Sequence, residues 1–103
     1  MDTVFENTIR VFKAFCDERR LTILEMLREG EKCACVLLTK MNISQSTLSY
    51  HMKVLCDSGI VSSRQEGKWT HYRISDEGCT YAVEMLRALT ATQTIDPNTK
   101  CCQ

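Results

Sequence analysis

A mainly α-helical domain with a single β-hairpin is the fold class that this 103-residue sequence predicts. Apolar residues recur with the period of an amphipathic helix in four segments before residue 60 and in one segment after residue 75. Residues 60–65 and 69–74 instead alternate β-branched or aromatic with polar side chains, around a turn at Glu66–Gly67. The predicted order of elements is therefore α-α-α-α-β-β-α, within one domain of modest core size.

The first and last predicted helices have broad apolar faces. Phe5, Ile9 and Phe12 are spaced i, i+4 and i+7 in a first helix over residues 3–15. The last helix starts after its expected N-cap, Ser75. Its apolar stripe contains Tyr81, Met85, Leu86 and Leu89. These faces are wider than so small a domain needs for its own core, so we expect a homodimer formed through the first and last helices.

The second and third predicted helices have clear start and stop signals. Asp17 is the expected N-cap of a second helix over residues 18–28, which ends near Gly30. Its inward residues are expected to be Leu21, Leu24 and Leu27. A short third helix over residues 33–41 is joined by the brief connection MNIS to a longer fourth helix. A short helix, a tight turn and a longer helix form the helix-turn-helix arrangement.

The fourth predicted helix has a polar face with little charge. Leu48, Met52 and Leu55 form its apolar stripe, and Ser44 and Gly59 are its start and stop signals. The opposite face carries Gln45, Ser46, Thr47, Ser49, Tyr50, His51 and Lys53. A solvated helix face usually alternates Glu with Lys, whereas these side chains suit the donors and acceptors of base-pair edges in the major groove. The alternative is a surface helix that happens to be rich in small polar residues.

The predicted hairpin follows this helix directly and carries Arg64, Lys68 and Arg73. A basic hairpin in this position is typical of the wing of a winged helix-turn-helix protein, which contacts flanking phosphates or the minor groove. We therefore expect Lys53, Arg64 and Lys68 to contact DNA phosphates. The alternative is a structural hairpin whose charges are merely solvated.

Charge is unevenly distributed although the formal net charge is zero. Residues 32–73 contain six basic and two acidic side chains, whereas the rest of the chain contains seven basic and eleven acidic ones. One part of the chain can therefore attract phosphate while the other repels it. No apolar run approaches the roughly 20 residues of a membrane span, and the amino terminus does not have the pattern of a secretory signal. We expect a cytoplasmic protein that does not contact membranes.

Seven cysteines are many for a chain of this length. The odd count and the missing export signal favour reduced thiols that serve coordination or redox chemistry. Cys33 and Cys35 stand at the expected start of the third helix, where the helix dipole stabilises thiolate. The alternative is that both are small buried side chains. Two cysteines at i and i+2 of a regular helix point about 200° apart, so we expect that binding one ion would unwind the helix start.

The remaining cysteines fall into two groups. Cys101 and Cys102 are adjacent in residues 92–103, which we expect to be a flexible tail after a folded domain of residues 1–91. This pair is either an unstructured end or a source of a further ligand. The other three are expected to pack in the core: Cys16, Cys56 and Cys79. Cys56 lies near the end of the fourth helix, so a ligand there would act on DNA binding directly.

With these elements in order, the chain resembles the ArsR/SmtB family of bacterial metal-responsive repressors from about Phe12 to Leu89. Three segments carry the similarity: KAFCDERRLTILEML, EKCACVLL and ISQSTLSYHMKVLCDSGIVSSRQEGKWTHYRIS. The resemblance implies a homodimeric winged helix-turn-helix repressor. It also implies that the apoprotein occupies a palindromic operator and leaves it when an inducer binds.

The segment EKCACVLL resembles the metal-box of this family, which implies that Cys33 and Cys35 bind a thiophilic ion. In the arsenic- and antimony-sensing branch a third cysteine follows three residues later, whereas this chain has Leu38 there. A third ligand is then expected from elsewhere, and Cys101 or Cys102 is the candidate. The zinc site that the family builds from histidine and carboxylates is not expected, because the last predicted helix contains no histidine.

The hypothesis from the sequence is a repressor, not an enzyme, that is released by trivalent arsenic or antimony and needs no catalytic cofactor. Cadmium or lead is the nearest alternative inducer, since all these ions favour soft sulfur ligands. A second hypothesis keeps the DNA-binding module and lets the thiols sense oxidation by forming a disulfide. A third is a small thiol enzyme of the arsenate reductase type. The chain has neither a phosphate-cradling loop nor a Cys-x-x-Cys motif, which argues against the third hypothesis.

Overall fold

A computed structural model describes residues 5–93 of the chain. Within this range the order of elements is α1-α2-β1-α3-α4-β2-β3-α5. The helices are α1 (Glu6–Ala14), α2 (Glu18–Leu27), α3 (Ala34–Met41), α4 (Gln45–Asp57) and α5 (Asp76–Thr90). The strands are β1 (Lys32–Cys33), β2 (Val61–Glu66) and β3 (Trp69–Ile74). The predicted winged helix-turn-helix order is confirmed, and β1 is an addition, since a two-residue strand is too short to show a period.

Three helices start where the sequence places their caps. Side-chain oxygens of Asp17, Ser44 and Ser75 accept hydrogen bonds of 2.8, 3.1 and 3.1 Å from backbone N–H groups two or three residues later. These bonds satisfy donors that have no partner inside the helix. At the end of α4 the chain reverses through Gly59, whose φ of +84° lies in the region that favours glycine.

The three strands form one antiparallel sheet in the order β1-β3-β2. Its hairpin turn lies one residue later than predicted, because Glu66 still pairs with Trp69 and the two turn residues are Gly67 and Lys68. Gly67 has the positive φ, +63°, that two-residue hairpin turns require. Lys68 therefore lies at the tip of the wing.

The core lies between α2, α3, α4 and the base of the wing. The predicted stripe of α4 is buried as expected: Leu48, Met52 and Leu55. The prediction for α2 is wrong at Leu21, which is 48% exposed. The buried stripe of α2 is instead Arg20, Ile23 and Leu27, so a charged residue occupies a position at which an apolar one is expected.

The apolar faces of α1 and α5 are exposed in the single chain. Large side chains on both helices, and that of the α1 N-cap Phe5, are accessible: Phe5, Ile9, Phe12, Tyr81, Val83, Leu86 and Leu89. The helix α5 contains no fully buried residue, so its predicted stripe is not part of the core of one chain. The first turn of α5 is fixed at Gly78, where an added Cβ would overlap with the carbonyl group of Gly59. Among residues 5–93 no helix combines the length and the hydropathy that crossing a bilayer requires.

Candidate functional site

The face of α4 that is predicted to read bases is largely exposed. Five of the seven predicted side chains are accessible: Gln45, Ser46, Ser49, Tyr50 and Lys53. Thr47 is half-buried and belongs to the helix cap, because the Ser44 hydroxyl accepts from its N–H at 3.1 Å and donates to its Oγ1 at 2.8 Å. Lys53 is 3.1 Å from Asp57, an exposed pair that contributes little and that a phosphate can replace.

The prediction for His51 is wrong. Its side chain is only 5% exposed and its Nδ1 lies 2.9 Å from Nη1 of Arg20, on the core side of α4. Its ring meets the ring of Tyr50 edge-on, with centroids 5.2 Å apart. His51 is therefore buried behind the exposed Tyr50 and does not lie on the exposed polar face where the sequence placed it.

The basic residues of the wing differ in what they can offer to a phosphate. Lys68 is exposed at the hairpin tip and makes no ion pair within residues 5–93. Arg64 instead donates from Nε and Nη2 to both carboxylate oxygens of Glu31 at 2.6–3.1 Å, and from Nη1 to Glu66 at 3.0 Å. His71 Nε2 is 3.5 Å from the same oxygen of Glu66. All three nitrogens of the Arg64 guanidinium thus donate within the protein, although the side chain remains 51% exposed.

This ion-pair cluster changes the electrostatics that the sequence predicts for the wing. The hydrogen bonds from Arg64 hold the pKa of Glu31 below its usual range, and the two carboxylates raise the pKa of Arg64. Both partners therefore stay charged at neutral pH. The two carboxylates compete with a phosphate for the donors of Arg64.

The thiols of Cys33 and Cys35 converge. Cys33 has extended backbone angles, φ −69° and ψ 145°, and serves as the N-cap of α3, because its Sγ accepts from the N–H of Cys35 at 3.3 Å. The Cys35 thiol donates to the Sγ of Cys33 at 2.7 Å. The expectation that the two side chains diverge by about 200° is wrong, since Cys33 precedes the helix. Both sulfurs can reach one ion without unwinding α3.

Protonation and ligand number define what this dithiol can bind. The hydrogen bond to Cys33 raises the pKa of the Cys35 thiol, and burial raises it further. A soft ion must displace these protons, because the thiolate is the ligand. In the described part of the chain no group of three or more His, Cys, Asp or Glu side chains is arranged to hold a metal ion. The dithiol therefore offers two sulfur ligands there. Cys101 and Cys102 lie outside the described residues.

The other cysteines differ from one another. Cys56 and Cys79 are half-buried against the core, and burial raises the pKa of both thiols. Cys16 is exposed, so the expectation that it packs in the core is wrong.

The dithiol is connected to both DNA-facing elements. Cys33 is the last residue of β1, where it pairs with His71 of the wing strand β3, and it is also the cap of α3. The helix α3 precedes α4 in the helix-turn-helix. His71 in turn pairs with Arg64 of β2. A displacement of Cys33 therefore acts on the wing and on the helix that supports α4.

Arg20, Glu31 and the strand β1 were not predicted from the sequence. Arg20 could have been found, because it lies three and seven residues before Ile23 and Leu27 in the buried stripe of α2. Glu31 gives no such signal, since its partner Arg64 is 33 residues away in the sequence.

The fold and the exposed polar helix define a winged helix-turn-helix DNA-binding protein. A family model described as "Bacterial regulatory protein, arsR family" matches residues 17–63. An HTH-type transcriptional regulator of Methanocaldococcus jannaschii is 36% identical, over 82% of this chain and 97% of its own length. The arsenical resistance operon repressor of Escherichia coli is 40% identical, over 76% of this chain and 68% of its own length. This chain belongs to the arsR family of regulatory proteins.

A solved structure supports the same assignment. The homodimeric winged helix-turn-helix DNA-binding domain of a possible ArsR-family regulator from Mycobacterium bovis superposes with a TM-score of 0.65. It is 28% identical, and the match covers 90% of this chain and 91% of that one.

Proposed function

We propose that this protein is a homodimeric repressor that is released from operator DNA when trivalent arsenic or antimony binds to Cys33 and Cys35. The observation that carries the proposal is the convergence of the two sulfurs at the joint between the wing and α3. Thiolates are soft ligands and select thiophilic ions over hard cations such as Mg²⁺. The arsenical resistance operon repressor of E. coli, a relative at 40% identity, supports the choice of inducer.

We expect arsenic binding to act through the cap of α3. Both thiols must lose their protons to bind one ion, because the thiolate is the ligand. The Sγ of Cys33 also accepts from the N–H of Cys35 at 3.3 Å, and an ion on this sulfur competes with that hydrogen bond. A weaker cap would loosen the first turn of α3, the helix that precedes α4 in the helix-turn-helix.

Arsenic binding by these thiols balances without an oxidant. Arsenic enters as As(OH)₃, and each thiol that forms an As–S bond gives its proton to the departing hydroxide. One water leaves for each bond formed, and no electrons are transferred. A third bond from Cys101 or Cys102, of either subunit, would complete a three-sulfur site. Cadmium or lead would bind in the same place and would need further ligands.

The dimer and its DNA contact follow from the exposed faces. The apolar side chains of α1 and α5 are accessible in one chain and would be buried between two. Two copies of α4 would then enter successive major grooves about 34 Å apart. Exposed α4 side chains would read bases, and Lys53 and Lys68 would contact phosphates. We expect the protein to act in the cytoplasm, where thiols remain reduced.

The direct test is a DNA-release titration. A duplex is selected from a random library by the wild-type apoprotein, and its binding is followed by fluorescence anisotropy. Arsenite should release the wild type but not the Cys33→Ser/Cys35→Ser variant, which should bind the duplex normally without arsenite. Cys16→Ser removes an exposed thiol elsewhere and should behave as wild type. Normal release of the double variant would rule out this site.

Oxidation is a second candidate signal, and the direct contact between the two thiols favours it. Hydrogen peroxide would convert the two thiols to a disulfide and yield two waters. Comparing peroxide with arsenite in the same titration separates the two signals. Release by peroxide alone would identify a redox regulator, and release by arsenite alone would identify a metalloid sensor.

A further inference from the structure

The core contains a charged side chain that bonds to the reading helix. Arg20 of α2 is 4% exposed, and its Nη1 is 2.9 Å from Nδ1 of His51 on α4. Arginine keeps its charge at every physiological pH, so its burial requires hydrogen bonds that replace water. A leucine would fill such a position more simply. The hydrogen bonds that Arg20 makes, which leucine could not make, are therefore the feature that distinguishes this position.

The guanidinium of Arg20 joins three helices. Its Nε donates to the carbonyl oxygen of Ala14 at 3.3 Å, and its Nη2 donates to that of Lys13 at 2.9 Å. Both carbonyls belong to the last turn of α1, where helical oxygens have no partner within the helix. Nη1 is directed at His51. The rigid planar group of Arg20, which belongs to α2, thus links the end of α1 to the middle of α4.

The contact fixes the protonation state of His51. Because arginine can only donate, Nδ1 of His51 must accept, and the proton of the neutral ring lies on Nε2. Burial lowers the pKa of His51, Asp17 acts in the opposite direction, and Arg20 lowers it further. The charged or titratable groups that act on the ring are Asp17, the N-cap of α2, Arg19 and Arg20 on α2, and Tyr50 on α4. From α1, the groups that meet this cluster are the backbone carbonyls of Lys13 and Ala14, which accept from Arg20.

We propose that the hydrogen bond between Arg20 and His51 is a positioning contact that holds α4 in the orientation needed for DNA reading. The inference rests on the proposed function, since it assumes that α4 enters the major groove. In the proposed dimer α1 belongs to the subunit contact, so a rigid link from α1 to α4 helps to set the distance between the two reading helices. The edge of the Tyr50 ring rests on His51, so the same contact also supports the exposed polar face.

Two substitutions at His51 separate the hydrogen bond from simple packing. His51→Asn keeps an acceptor close to the position of Nδ1, whereas His51→Leu fills the space and leaves Arg20 without that partner. Affinity falls only to the extent that α4 loses its orientation and, with it, groove contacts, and the loss of one good base contact corresponds to about tenfold in affinity. We expect His51→Leu to bind the selected duplex about tenfold more weakly than wild type, and His51→Asn to bind within about threefold. Sedimentation should show that both variants form the wild-type dimer.

A pH profile tests the contact in a way that general destabilisation does not reproduce. As pH falls below about 6.5 and through the lowered pKa of His51, the ring gains a proton and can no longer accept from Arg20. Wild-type affinity for the duplex should then fall with pH, relative to His51→Asn, which cannot titrate. His71→Asn removes the histidine of the wing and leaves His51 in place. Its DNA affinity should therefore still fall at low pH, as in the wild type.

The outcomes are distinguishable. Wild-type affinity in His51→Leu, or parallel pH profiles of wild type and His51→Asn, would overturn the positioning role and leave the proposed repressor intact. If His51→Leu does not fold, the comparison of pH profiles decides. Failure of the wild type to select any duplex would refute the proposed function, and the positioning role with it.

Discussion

Releasing Arg64 from its acidic partners should strengthen DNA binding. Glu31→Gln replaces the carboxylate that accepts three of the four hydrogen bonds from the Arg64 guanidinium, at 2.6–3.1 Å, with a neutral amide that has one acceptor oxygen, and leaves the charged bond to Glu66 in place. The guanidinium then becomes available to a phosphate. The wild-type wing, in contrast, must break this pairing before Arg64 can contribute to binding.

The magnitude follows from the number of phosphates that the protein neutralises. Each phosphate contact changes the slope of log Kobs against log[salt] by about 0.9, because condensed counterions are released. One freed Arg64 in each subunit of the proposed dimer adds up to two contacts. The slope should therefore become steeper by up to about 2, which raises affinity by tens-fold at roughly 0.1 M salt.

The assay is anisotropy with the selected duplex over a series of salt concentrations. Glu29→Gln is the matched control, because it removes the same charge two residues away and breaks only an exposed 3.5 Å contact with Lys32. A gain in Glu31→Gln no larger than that in Glu29→Gln would mean that general charge accounts for the effect. A loss of affinity in Glu31→Gln would refute the reasoning, since it would mean that Glu31 holds Arg64 in a useful position.

Three further predictions concern stability and the thiols. Leu37→Ala, at a fully buried site, should lower the free energy of unfolding by about 2–5 kcal/mol, whereas Leu21→Ala, at a 48% exposed site, should cost well below about 1 kcal/mol in the same urea titration. Gly78→Ala should lower the urea midpoint, because its Cβ would overlap with a backbone carbonyl; an unchanged midpoint would contradict this packing. Cys33→Ala should lower the pKa of Cys35, because it removes the acceptor of the Cys35 thiol proton. The rate of Cys35 alkylation, measured by peptide mass spectrometry, should then reach half its maximum at a lower pH than in the wild type.

The helices and the hairpin could be predicted because each has a local signal. The stripe Leu48, Met52 and Leu55 repeats with the helical period, and Ser44 and Ser75 can cap a helix wherever the chain places them. Such patterns depend on neighbours in the sequence. The exposure of the apolar stripe of α5 could not be predicted in this way, because a helix that faces a core and a helix that faces a second subunit have the same apolar period.

The details of the site depend on contacts between distant residues. His51 lies three residues after Leu48 and four before Leu55, at the edge of the apolar stripe of α4, so its spacing is compatible with burial although its polarity suggested the exposed face. Its partner in the core, Arg20, lies 31 residues earlier, where no local pattern reveals it. Arg64 is neutralised by Glu31, which no local pattern links to the wing. The two thiols converge because pairing with β3 holds Cys33 in an extended conformation outside the helix. A helical projection of Cys33 and Cys35 therefore gave the wrong geometry.

The central claim is that an ion at the dithiol and DNA at α4 oppose each other through Cys33, the N-cap of α3. Calorimetric titration of arsenite into the free dimer and into the duplex-bound dimer tests this most directly. Thermodynamic reciprocity requires that DNA weakens arsenite binding by the same factor by which arsenite weakens DNA binding. We predict a lower arsenite affinity for the bound dimer by that factor. Equal arsenite affinity for the free and the bound dimer would contradict the account.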